Sequence, residues 1–114
     1  MRRNIALYYG RDRNNQNSDR PKIYLYSHWG AEQMPRVLRA ALWRGRSRWN
    51  DPDYLARIIF SEMIQDEVME TTGYGIAPYE CDPEFPTIEV DLIGRTVDGT
   101  PFVEFVSDYQ PLPA

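Results

Sequence analysis

Among the 114 residues, the stretch "IIFSEMI" at positions 58 to 64 sets a charged group where a charge is expensive. If the stretch is helical, Glu62 falls on the oily face, flanked by Ile58, Ile59 and Met63. A carboxylate in that place must take up a proton or find a cation or hydrogen-bond donors, because burying it unpaired costs several kcal/mol. The simplest expectation is an arginine, a tyrosine hydroxyl or His28 as partner. The alternative is a working role in ligand binding or acid-base chemistry. His28 is the only histidine, in "YSHWGAE", where a strand gives way to a glycine turn and then a helix. Loops at strand ends collect functional groups, and Ser27, His28, Trp29 and Glu32 make a polar cluster beside an indole. Paired with Glu62 within hydrogen-bonding reach, His28 would serve a small hydrolase or transferase.

Further along, Arg36, Arg39, Trp43 and Arg46 recur at helical spacing and share one stripe. Arginine interleaved with tryptophan can grip phosphates and stack on a nucleotide, or can form a solvated face. The loop "TGYGI" around Tyr74 has two glycines but neither lysine nor phosphate-loop spacing, so it reads as a loop that faces a ligand. One histidine and one cysteine exclude a conventional zinc cage, and no cofactor motif occurs. A Cys-His dyad requires Cys81 to fold beside His28, and no nucleophile-elbow motif supports a serine triad.

These residues need a scaffold. A chain of this length, 42% hydrophobic and 13% aromatic, builds one domain without disulfide or metal staples. "NIALYYG" and "PKIYLYSHW" read as a strand pair around a polar, mobile loop at about 11–20. "GAEQMPRVLRAALWRGRSR" spaces Met34, Val37, Leu38, Ala41 and Leu42 on one helical face. In "NDPDYLARIIFSEMIQ" Asp51 can cap a second helix, with Pro52 at its first position and Asp53 complementing the dipole. A long loop follows at about 70–87. "TIEVDLIGRTV", "DG" and "TPFVEFV" form a hairpin signal centred on Asp98 and Gly99, and the tail at about 108–114 should fray.

The expected architecture is a single α+β domain over residues 1–114. Its order is ββααββ, with a mostly antiparallel four-stranded sheet and the helical pair on one face. On the other face Tyr24, Tyr26, Phe102 and Val106 would form an apolar surface suited to a homo-oligomer or a partner.

Charge is split along the chain: residues 1–58 carry 12 basic and 5 acidic side chains, residues 59–114 one and 12, for a net −4. The acidic half argues against long nucleic acid and leaves a local arginine stripe for a small nucleotide-like anion or an acidic protein patch. No apolar run reaches the ~18 residues of a membrane span, and the single cysteine fits a cytoplasmic setting.

Taken in order, "YLYSHWG", "ARIIFSEMI" and "TGYGI" resemble a group of small proteins encoded in tailed-phage and bacterial genomes. The resemblance runs from about Tyr24 to about Val97, with Ala31 where a second glycine is expected after "SHWG". It brings no activity and no site residue. It implies a phage-type accessory protein in a bacterial host cytoplasm, acting by stoichiometric binding of a host component or a small defence signal. The site expected to do this joins His28, Trp29, Glu32, Tyr74 and Glu62, with Arg36, Arg39 and Arg46 supplying positive charge. A virion-associated interaction module is a further reading.

Overall fold

A strand buried on both faces must lie inside a sheet, and "RNIALY" is such a strand: every residue from Asn4 to Tyr8 is buried. The computed structural model of the chain describes residues 1–9 and 22–110, so the loop expected at 11–20 and the last four residues lie outside it. Six strands form one mixed sheet: β1 (Arg3–Tyr8), β2 (Lys22–Ser27), β3 (Tyr74–Ala77), β4 (Ile88–Asp91), β5 (Thr96–Val97) and β6 (Thr100–Pro101). Their spatial order is β3-β2-β1-β4-β5-β6. β1 pairs antiparallel with β2, Ile5 opposite Leu25, and parallel with β4, Ile5 opposite Ile88. The α+β class matches expectation; the sheet has six strands, not four, and its central pair β1–β4 is parallel.

Helices α1 (Met34–Arg44) and α2 (Pro52–Ile64) cover one face. Met34, Leu38, Ala41 and Leu42 from α1 and Leu55, Ile59 and Met63 from α2 pack on Ile5, Leu7, Leu25, Ile88 and Val90. The start of α2 follows its sequence: the Tyr54 amide donates to Asp51 Oδ1 at 3.4 Å, with Pro52 in the first turn. No helix among the described residues is long and apolar enough to cross a membrane.

Two departures from expectation have physical causes. The segment at 70–87 contains β3, which extends the sheet beyond β2 with Gly75 opposite Tyr26. A side chain at 75 would start 2.2 Å from the Tyr26 ring, so the missing Cβ is what lets that ring lie across the strand. At the other edge Asp98 and Gly99 do make the tight turn, with φ of 48° and 85°. The strand after it stops at Pro101, which has no N–H to extend a ladder. Residues Phe102–Phe105 then coil into the short helix α3. This reverses the expected facing: Phe102 is 1% exposed in the core, with its ring 5.4 Å from that of Trp49, and Val106 packs against the same cluster. Val103 is exposed.

The second sheet face is partly covered by the chain itself. Asn4, fully buried, donates from Nδ2 to the Cys81 carbonyl at 3.2 Å and accepts from the Cys81 amide at 3.0 Å. Arg2 binds the same segment from the strand start, its carbonyl accepting from the amides of Glu84 and Phe85 and its amide donating to Glu84 Oε1. Beside this cover, Tyr8 and Tyr24 are buried with Ala6. Of the four residues placed on a bare outer face, Tyr24 and Tyr26 are on that side of the sheet, and Phe102 and Val106 are not.

Candidate functional site

Ser27 ends β2 inside the protein, and its Oγ accepts from the Gly30 amide at 2.7 Å, turning the chain sharply. The turn lifts His28 and Trp29 outward. Their rings meet edge to face at 4.7 Å, and Trp29 remains 68% exposed. The His28 amide donates to the Gly73 carbonyl at 2.8 Å, which ties this turn to the loop leading into β3. "SHWG" and "TGYGI" therefore meet.

Between them lies a groove of about 370 Å³ walled by Tyr26, His28, Trp29 and residues Thr71 to Tyr74. A second groove, of about 530 Å³, shares Tyr26 and His28 and adds Arg2, Tyr79, Cys81 and Asp82. A third, of about 280 Å³, joins Trp29 to Glu32. His28 and Trp29 thus stand on the ridges between three grooves.

Electrostatics distinguish the first two. Burial pushes the Tyr74 phenol above its usual range, the Glu67 carboxylate adds to the rise, and a hydrogen bond with Ser27 opposes it. Glu67 is not a wall of the first groove, but its Oε2 lies 3.6 Å from the point where a Cβ on Gly73, one of the walls, would sit. In the second, Arg2 Nη1 lies 3.6 Å from Asp82 Oδ2. Cys81 does come to the same groove as His28. Burial, however, pushes its thiol up, the reverse of what activates a nucleophile, and Sγ donates to the Tyr79 carbonyl at 3.6 Å.

Glu62 is answered elsewhere. Its side chain is 16% exposed, and Oε1 accepts from Arg44 Nε at 2.8 Å while Oε2 accepts from Gln65 Nε2 at 3.1 Å. Arg44 also donates from Nη2 to the Ile58 carbonyl and to Ser61 Oγ, so one guanidinium bolts the end of α1 to the middle of α2. Glu62 lines neither groove that His28 lines. The expected convergence of Glu62 with His28 is not formed.

The arginine stripe also has work within the fold. Arg39 Nε donates to the Phe105 carbonyl at 2.9 Å with its guanidinium 4.9 Å from the Phe105 ring centre. Arg46 stacks 3.8 Å over Trp43, whose other neighbour is Tyr109 at 5.6 Å. These contacts hold α3 and the residues after it; Arg36 alone of the three arginines is left exposed without such a contact among the described residues.

Sequence reasoning missed Tyr26, Thr71 and Thr72 as groove walls, and Arg2 and Tyr79 beside Cys81. The pairing of β3 with β2, which makes Tyr26 a groove wall, has no signal in the sequence. Among the described residues no cluster of three or more histidine, cysteine, aspartate or glutamate side chains is placed to hold a metal ion. No family model matches the chain, and no curated protein and no solved structure matches it.

Proposed function

We propose that the protein works by stoichiometric binding, as a phage-type accessory protein that engages a component of its bacterial host through the groove beside His28 and Trp29. The observation that carries this reading is the indole of Trp29, held 68% exposed by a turn that is itself pinned to Gly73. A large aromatic surface kept in water on a fixed backbone is typical of a contact that a partner covers. Exposed Ile76 and Tyr79 extend the apolar surface along the same edge of the sheet. Catalysis is the weaker reading because the groove joins no base to an activated nucleophile.

Of the two kinds of partner expected from sequence, the host protein is favoured over an anionic small molecule. Arg39 and Arg46, which were to draw an anion, face Phe105 and Trp43 instead. Self-association through the β3 side belongs to the same proposal. Native mass spectrometry of the protein purified from host cells tests it: the wild type should retain a partner or a second copy. His28→Ala/Trp29→Ser should lose it while keeping the wild-type circular dichroism. A bare monomer in both, or equal retention in both, removes the reading.

A further inference from the structure

We propose that the groove between Trp29 and Tyr74 receives a cationic side chain, lysine or arginine, from an extended segment of the partner laid along β3. The inference rests on the reading of this groove as the binding site and adds the chemistry of what enters it.

Two observations converge. The first is the pairing of aromatic rings with a carboxylate. From the point where a Cβ on Gly73 would sit, the Trp29 ring and Glu67 Oε2 are each 3.6 Å away, so indole and carboxylate flank one spot at the mouth of the groove. Tyr26, His28 and Tyr74 are also among the walls, and none of the walls is a lysine or an arginine. Aromatic faces carry negative potential and attract a cation within about 6 Å of the ring centre. A carboxylate at the rim adds to that attraction, and both repel a phosphate.

The second observation concerns β3. Among the described residues it is the edge of the sheet beyond β2, and no strand pairs with its outer side. Its residues Tyr74–Ala77 carry no charge to deter an incoming strand. An extended segment adding to this edge gains main-chain hydrogen bonds and presents alternate side chains to the two faces. The groove adjoins Tyr74 at the start of β3, so a segment laid along that edge can place one side chain beside Trp29 and Glu67.

The test uses small probes on the whole chain. The indole N–H signal of Trp29, assigned with Trp29→Phe, is followed by NMR while N-acetyl-arginine amide is added, then N-acetyl-citrulline amide, its neutral near-isostere, then AMP. The expected result is a saturable shift with the arginine probe and binding about tenfold weaker with citrulline. Glu67→Gln, a surface change that leaves the remaining spectrum in place, should weaken the arginine probe several-fold and leave citrulline unaffected. Equal response to arginine and citrulline overturns the cation assignment. A response to AMP alone overturns it too, while leaving the groove as a binding site for anions. Silence to every probe removes the assignment together with the groove's role.

Discussion

Replacing Arg44 with methionine should destabilise the protein far more than replacing Glu62 with methionine, although the two residues share one ion pair. The difference comes from which charge is stranded. Without Arg44, the Glu62 carboxylate stays in a place only 16% exposed and keeps a single donor, the Gln65 amide. Without Glu62, Arg44 is half in water and still donates to the Ile58 carbonyl and Ser61 Oγ. Stranding one member of a fully buried pair costs about 3–5 kcal/mol and an exposed pair contributes about 0–1, so Arg44→Met should cost about 2 kcal/mol. Glu62→Met should cost about 0.5 kcal/mol, within the exposed range. The double variant should recover most of the larger loss, since two apolar groups leave nothing charged to satisfy. Urea unfolding followed by circular dichroism measures all three. The midpoint should fall with an unchanged slope, and Tm of Arg44→Met should drop by roughly 10 °C. A loss for Glu62→Met equal to or greater than that for Arg44→Met would refute the reasoning.

Gly75→Ala should cost about 1–3 kcal/mol by forcing the Tyr26 ring aside, and Tyr26→Ala in the same chain should remove most of that penalty; thermal unfolding of the four-member cycle reads the coupling. Asn4→Ala should loosen the 78–87 segment, raising hydrogen exchange at the Cys81 amide and costing about 2 kcal/mol for two lost bonds. The phenols of Tyr9, Tyr24 and Tyr74 are all held above 10.0, in each case first by burial and then by a neighbouring carboxylate: Asp53 for Tyr9, Glu80 and Glu89 for Tyr24, Glu67 for Tyr74. In the folded state they keep protons that the unfolded chain has lost, so their contribution is full below pH 10 and stability falls as pH rises beyond it. Ultraviolet titration at about 295 nm should show these three phenols ionising above the free-tyrosine value of about 10.

The elements that could be read from local residue order were those whose signals are local. Asp51, Pro52 and Asp53 mark the start of α2 because a cap, a ring and a charge act within one turn. Asp98 and Gly99 fix their turn for the same reason. Glu62 required an answer from helical spacing alone, and the candidates included an arginine; which arginine depends on how α1 packs on α2, and only the fold sets that. β3 escaped because four residues containing a glycine show no periodicity, and its place comes from Tyr26 lying on Gly75, a contact between distant segments. α3 escaped because "FVEFV" suits a strand by composition. Pro101 stops the ladder, and burial of Phe102 beside Trp49 then decides the outcome. The groove combines both cases: its polar and aromatic residues were evident as types, and its shape depended on the strand that was not.

Placing β1 between β2 and β4 also sets a timetable for synthesis. Ile5 meets Ile88, so the neighbour on one side of β1 is translated long after β1 has left the ribosome. At ~5–20 residues per second that delay is roughly 4 to 17 s. During it the nascent chain can assemble β1, β2 and the two helices yet must carry an open, apolar strand margin, a period in which a chaperone would find its client.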